Sequence, residues 1–442
     1  MIHYSLILGS ALLYGSAFIA PAYCWWAVFV FAVPLFYLYL RRLMTVSEAG
    51  LWVLTAFMVH FYPTLEGIIP LLEVSLASKV LLIIAFLNIF AIYTLFFFLV
   101  HSFFNGFISI IFIYWLFFIW LEHGSFCFLG RLEGYMFCNP LLPLVEYPGF
   151  LYYLPKIGSP GLLLMLLVTQ ASFVYAVLGG TWWRLCFMSC IIFWLLSLLA
   201  FNLELKKDTD IQGIAIAPHK IAAHDSITYT AHQLRDYCKI VLKKFPQAQL
   251  ILFPESACQC PLFLGEKDCV ALLADCYIGK SVTLLIGGFR WDQGAYRNTV
   301  YWIQDGKVID IFDKRHAMAV TERRASKYLK KFPDIVPSGA ARPVWHIREN
   351  VAIVPYICSE LFFNHAPDHR AHDSEIIVAF CNDGWVKRDY MRYIMALGAR
   401  FKAIQWHIPL VYVAYYYQML CETTGEFTSY QALRVPEDAG KD

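Results

Sequence analysis

The chain has 442 residues and a formal net charge of +2, and it is 59% hydrophobic and 17% aromatic. Its mean hydropathy of +0.55 excludes an ordinary soluble globule and calls for several membrane spans. The near-balanced charge excludes a strongly basic or acidic partner, so no nucleic-acid contact is expected.

The apolar excess is uneven. Residues 1–204 are mostly long apolar runs, whereas residues 205–442 hold most of the Lys, Arg, Asp and Glu. Crossing a hydrocarbon layer of ~30 Å takes roughly 20 apolar residues. About seven runs approach that length, near 5–21, 24–40, 50–64, 79–100, 103–121, 161–179 and 183–203. The start, MIHYSLILGS, has no basic region, and further spans follow at once, so a span is expected there rather than a cleavable signal peptide. Arg41-Arg42 and Arg184 fall in loops on one side of such a bundle, and Arg131 and Lys156 in a longer loop on the other. The rule that basic loops stay inside then puts the N-terminus in the cytoplasm. An odd number of spans puts residues 205–442 on the far side, which in a bacterium is the periplasm. The loop 122–160 carries Trp120 at its edge and Tyr135, Tyr147, Tyr152 and Tyr153 within it. Such aromatics form an interfacial belt or a wall of a lipid-accessible cavity.

From residue 205 the pattern changes to alternating strands and helices. Strands are expected at Gly213–Ala217, Gln249–Phe253, Val282–Gly287, Tyr296–Ile303, Val308–Phe312, Val351–Ile357, Glu375–Phe380 and Pro409–Tyr415. Asp305-Gly306 is a hairpin signal. Helices are expected at 231–245, 268–279 and 388–405, the first with Leu234, Cys238, Val241, Leu242 and Phe245 on one face. This is an α/β domain with a mixed sheet covered by helices.

There are 13 cysteines, with no pair of CxxC motifs and no disulfide pairing that the spacing assigns. His365, His369 and His372 have spacings that suit a metal, but they lie in a polar loop with Pro367 and Asp368, and no metal is expected.

Three polar residues follow apolar strands: Glu255 after LILF-Pro, Lys314 after VIDIFD, and Cys358 after VAIVPYI. Strand ends are where α/β folds place chemistry. Cys358 stands at a strand-to-helix corner, with Ser359-Glu360 as cap and first turn, where backbone N–H groups favour a thiolate. A buried structural thiol is the alternative for any lone cysteine. A carboxylate, an ammonium and a thiol together suit acyl transfer: Glu as general base, thiolate as nucleophile, Lys as oxyanion partner.

The words around these residues carry a resemblance. FPESA at 253–257, DKRHAMAVTE at 313–322 and ICSELFF at 357–363, in that order, resemble the nitrilase (carbon–nitrogen hydrolase) superfamily. With the apolar front half and the loop EGYMFCNPLLPLVEYPG at 133–149, the chain is most similar to the apolipoprotein N-acyltransferases. The resemblance implies a multi-span helical membrane domain at 1–204 and a nitrilase-like α-β-β-α sandwich at 205–442. It implies Glu255 as general base, Lys314 as catalytic lysine and Cys358 as nucleophile. Glu322, Glu360, Asn382, Asp383 and Trp385 would support the site. No cofactor is implied. The implied partners are a phospholipid acyl donor and a lipoprotein amine acceptor in the bacterial inner membrane.

There are departures from the family pattern. Gln405 and Ile408-Pro409 replace a Glu and an Arg-Pro pair, and Tyr416-Tyr417-Gln418 replaces an Asn-Asn-Gly word. Ser359 stands for a bulkier aromatic, and the polar VPEDAGKD stands where the family has one more span. These imply a divergent member with its core retained. TraB-type conjugal-transfer proteins, which share the architecture, offer a second reading with conjugation machinery as partner. A soluble amide hydrolase on an anchor is a third, although an anchor needs only one or two spans.

Overall fold

The computed structural model describes residues 2–41, 43–61, 90–91, 93–95, 107–123, 136–204, 214–216, 231–246, 248–258, 282–292, 295–316, 336–348, 351–362, 375–384, 386 and 389–429. Contacts divide the chain into two units, residues 1–208 with 393–407 and residues 209–392 with 408–442.

The first unit contains apolar helices α1 (Ile2–Ile19), α2 (Pro21–Cys24), α3 (Val33–Leu40), α4 (Val46–Ala56), α5 (Phe107–His123), α6 (Leu154–Val177) and α7 (Thr181–Glu204). Among the described residues four stretches are long and apolar enough to cross a membrane: Ile2–Ile19, Pro21–Leu40, Leu154–Val177 and Thr181–Leu203. Val46–His60 and Ile108–Glu122 are shorter apolar helices. The run expected at 79–100 lies almost wholly outside the described residues.

Buried aromatics fill this bundle. Tyr14 packs on Phe31, Trp52 and Phe118 at 5.5–6.0 Å between ring centroids, and the Trp52 indole donates to Ser10 Oγ at 2.9 Å. The stretch 136–151 is largely buried in this unit. It folds into short 3-10 turns with Leu141, Leu142, Leu144 and Val145 fully buried. Its polar groups are satisfied internally: Glu146 accepts from the Tyr393 hydroxyl at 2.7 Å and from Arg400 at 2.8 Å. Trp25, Phe29, Phe150 and Trp194 line an open apolar cavity of about 450 Å³ in this unit.

The second unit is built on two sheets. The first has five strands in sequential order: β1 (Ile214–Ile216), β2 (Leu250–Cys258), β3 (Thr283–Asp292), β4 (Ala295–Gln304) and β5 (Lys307–Asp313). Pairs β1–β2 and β2–β3 are parallel, and β4 and β5 add antiparallel. Helix α8 (Ala231–Lys244) follows β1 and buries Leu234, Cys238, Val241 and Leu242 against Ile251, Phe253, Leu284 and Ile286. The expected amphipathic face is therefore the one that packs.

The second sheet has order β11-β10-β9-β8-β7-β6. Its strands are β6 (Trp345–Arg348), β7 (Val351–Ile357), β8 (Ile376–Phe380), β9 (Leu410–Val413), β10 (Gln418–Cys421) and β11 (Phe427–Ser429). Strands β7, β8 and β9 are parallel and buried throughout except at Val351, which explains their near-continuous apolar runs. Strand β2 packs against β8 and β9, and β4 against β7, so the sheets face each other. Trp302 and Trp345 meet across that interface at 5.8 Å. A one-turn helix α9 (Ser359–Phe362) follows β7, and a long helix α10 (Asp389–Trp406) joins β8 to β9. Strands β6, β10 and β11 were not expected from the sequence. The helix expected at 268–279 lies outside the described residues.

The β4–β5 turn has Asp305 at φ 48° and Gly306 at φ 70°, the twist-matched geometry of a tight hairpin. Gly306→Val should cost about 1–2 kcal/mol, read as a lower urea midpoint for detergent-solubilised protein followed by tryptophan fluorescence.

Candidate active site

Glu255 sits inside β2. The expectation that it lies just after the strand is corrected. The strand runs on to Cys258, but its register against β3 shifts between Phe253 and Cys258, and Ser256 adopts φ 58°. This is a bulge, placed where Pro254 cannot donate to the ladder. It turns the Glu255 carboxylate into the interior, where the residue is 3% exposed. Gly287 on β3 makes room for it. A Cβ there would sit 2.6 Å from Glu255 Cα and against the Pro254 carbonyl oxygen.

Lys314 is the first residue beyond β5. Its N–H donates to the Asn298 carbonyl at 2.8 Å, its carbonyl accepts from Ser338 N at 2.9 Å, and it is 1% exposed. Its Nζ lies 3.4 Å from Glu255 Oε1. Asn298 Nδ2 donates to the same oxygen at 2.7 Å. The Tyr415 hydroxyl donates to the Glu255 carbonyl at 3.1 Å. A buried ion pair persists only when further hydrogen bonds offset its desolvation, and Asn298 supplies one.

Cys358 comes from the other sheet. It is the first residue beyond β7 and has φ 48°, a left-handed backbone that β-branched residues avoid. Its N–H donates to the Phe380 carbonyl at 2.7 Å, and its carbonyl accepts from Leu361 N at 3.0 Å. The described helix after it is a single turn, so only a few N–H groups face the corner. Cys358 is a neighbour of the Cys381 thiol just beyond β8. Burial comes first among the causes that push the Cys381 thiol well up, followed by Cys358 and the nearby charge of Glu255. Cys381 is therefore held as a neutral thiol near both Cys358 and the carboxylate of Glu255. Tyr412, whose hydroxyl burial pushes up, is a further neighbour of Cys381.

Glu360 holds the corner together. Its Oε1 accepts from Arg315 N at 2.6 Å and His316 N at 3.3 Å. Its Oε2 accepts from Ile357 N at 3.0 Å and Arg342 Nη1 at 3.1 Å. Burial raises its pKa, but Arg342, the two backbone donors at Ile357 and Arg315, and Lys314 more than offset this and hold the carboxyl below its ordinary value. Arg342 also donates to the Pro355 carbonyl and lies over the Tyr356 ring. One carboxylate thus ties the segment after Lys314 to the strand that carries Cys358.

Asn382 accepts from Gly384 N at 3.1 Å, closing its own turn. Asp383 accepts from Tyr415 N and Tyr416 N at 2.8 and 3.0 Å through Oδ1, and from Tyr417 N at 3.3 Å through Oδ2. Burial nevertheless pushes its carboxyl up to about 6. Glu322, Trp385 and the histidines 365, 369 and 372 lie outside the described residues. Among the described residues no group of His, Cys, Asp and Glu is placed to hold a metal.

Residues 217–429 match the family model of the carbon–nitrogen hydrolases. The C-terminal half of this chain is a divergent member of the nitrilase, or carbon–nitrogen hydrolase, superfamily. Among curated relatives, the apolipoprotein N-acyltransferase of Rhodopseudomonas palustris is 29% identical over 187 residues, covering 37% of this chain and 34% of the relative. The apolipoprotein N-acyltransferase of Brucella suis is 24% identical over 186 residues, covering 38% of this chain and 34% of its own. The chain thus spans about a third of the length of these relatives. A carbon–nitrogen hydrolase from Helicobacter pylori matches at TM-score 0.37 and 16% identity, over 48% of this chain and 82% of that one.

Within the carbon–nitrogen hydrolase half, sequence reasoning missed Asn298, Arg342 and Cys381. Asn298 had a weak signal, a polar residue in the alternating series of Tyr296, Val300 and Trp302 along the hairpin strand. Cys381 stood in a quoted word, FCNDGW, yet drew no role. Arg342 had no local signal.

Two outcomes follow for the hydrolase fold. Gly287→Ala should push the Glu255 bulge off its strand and lower unfolding free energy by about 1–3 kcal/mol, measured by urea titration. Glu360→Gln removes one partner of a buried pair and should cost roughly 3 kcal/mol at neutral pH. Because the folded carboxyl titrates below its unfolded value near ~4.3, this stabilisation is present above that pH and lost as pH falls through the depressed value. The variant's stability should lack that acid-side dependence, as urea midpoints from pH 3 to 7 would reveal.

Proposed function

We propose that this chain is a membrane-embedded acyltransferase that carries an acyl group on Cys358 as a thioester, from a phospholipid ester to an amine. The observation that carries the reading is the buried Glu255–Lys314 contact of 3.4 Å, with Cys358 and Glu255 both acting on the Cys381 thiol. Glu255 takes the thiol proton. The thiolate attacks the ester carbonyl, and Lys314 donates to the oxyanion that forms. Collapse expels the lysolipid alkoxide, which takes the proton back from Glu255. An amine then attacks the thioester, loses a proton to Glu255 and releases Cys358 as thiol or thiolate.

Two further observations support it. The helices long enough to cross a membrane hold the chain where lipid substrates are, whereas a soluble amidase would need no such bundle. The curated relatives are named apolipoprotein N-acyltransferase, which favours an N-terminal lipoprotein amine as acceptor. In this reading the catalytic half faces the periplasm of a bacterial inner membrane.

Intact mass spectrometry of the purified full chain after incubation with phospholipid tests the reading. Wild type should gain one acyl mass on Cys358, Cys358→Ala should gain none, and Glu255→Gln should acylate about 10²–10⁴-fold more slowly. An unmodified wild-type protein that releases ammonia from small amides would make it a hydrolase instead. Rescue of a strain lacking its lipoprotein acyltransferase would separate the acyltransferase from a conjugal-transfer component.

A further inference from the structure

Cys381 is a nucleophilic group that the acyl-transfer chemistry does not use. It follows β8 as Cys358 follows β7, and these strands are parallel with Ile357 opposite Phe380. The next positions in register are Cys358 and Cys381. Adjacent strands lie about 4.8 Å apart, within the span of about 4.4–6.8 Å between Cα atoms that a disulfide bridges. Both residues are thiols, and Cys358 is an electrostatic and hydrogen-bonding neighbour of the Cys381 thiol. Cys358 is 7% exposed and Cys381 fully buried, so a small oxidant reaches Cys358 first.

We propose that Cys358 and Cys381 form a reversible disulfide under peroxide, with Cys381 as the resolving thiol that protects the nucleophile and holds it inactive. This rests on Cys358 being the nucleophile of the proposed acyl transfer. The Cys358 thiolate attacks one oxygen of hydrogen peroxide, the O–O bond breaks, and the departing hydroxide is protonated to water, leaving a sulfenic acid. The Cys381 sulfur then attacks the sulfenic sulfur. The S–O bond breaks, the Cys381 proton goes with the hydroxyl as a second water, and the S–S bond forms. Two thiols have been oxidised and one peroxide reduced. A dithiol reductant reverses the step by exchange. The Cys358 N–H bond to the Phe380 carbonyl at 2.7 Å holds the two strand ends, and so the two thiols, next to each other.

The test is peptide mass spectrometry of the detergent-solubilised full chain after brief peroxide exposure, with and without dithiothreitol. The expected result is a peptide pair joined through Cys358 and Cys381, lighter by two hydrogens, and a near-complete loss of Cys358 alkylation that dithiothreitol restores. In Cys381→Ser the same exposure should drive Cys358 on to sulfinic and sulfonic acids that dithiothreitol does not reverse. Overoxidation of Cys358 at equal rates in wild type and Cys381→Ser would overturn the proposal, as would pairing of Cys358 with another cysteine. The cross-link is read without any acyl substrate. A linked pair in a protein that never acylates would therefore sink the acyltransferase reading and leave the disulfide standing.

Discussion

The second unit is arranged around one constraint, an ammonium and a carboxylate 3.4 Å apart with almost no access to water. Removing two charges from solvent costs several kcal/mol per ion, and their attraction offsets this only if the remaining polar valences are met. The neighbouring structure reads as the means of meeting them. The bulge at Pro254–Ser256 aims Glu255 inward, and Gly287 lets that bulge lie close to β3. Asn298, two strands from Glu255, binds its carboxylate by side chain and Lys314 by backbone carbonyl. A single residue thereby fixes both partners of the pair.

The two sheets divide the chemistry. The first delivers the acid and the ammonium, the second delivers the sulfur, and Glu360 joins them by accepting from Arg315 N, His316 N and Ile357 N. That carboxylate is held ionised by Arg342 and by backbone donors at fixed positions. It acts as a strut between Lys314 and Cys358 and does not need to touch a substrate. The left-handed backbone at Cys358 is strain of the kind that a scaffold holds in place at functional corners. Its hydrogen bonds to Phe380 and Leu361 supply that hold.

Much of this was legible in the sequence because it is written in local patterns. Period-two and continuous apolar runs gave the parallel strands, Asp305-Gly306 gave the hairpin, and the amphipathic face of α8 gave the packing of the first sheet. What stayed hidden was non-local. A register shift depends on the neighbouring strand, so Glu255 read as a residue beyond a strand when it sits within one. Strands β10 and β11 are short, and Tyr416-Tyr417-Gln418 sits where a loop and the start of β10 meet. Arg342 and Asn298 acquire meaning only from partners that are distant in sequence. In the first unit the long apolar runs were plain, but the burial of the turns at 136–151 was hidden, because Pro and Gly break their period and the aromatics of the loop suggested an interfacial belt or a cavity wall.

The central claim is that Glu255 acts on the sulfur of Cys358 across the interface of the two sheets. Its most direct test is the rate at which Cys358 is carbamidomethylated across the pH range, in wild type and in Glu255→Gln, with the part-exposed Cys24 as internal reference. The account predicts that Glu255→Gln, which removes the general base, slows the reaction of Cys358 near neutral pH by about 10²–10⁴-fold and leaves Cys24 unchanged. Identical Cys358 profiles in the two proteins would contradict it.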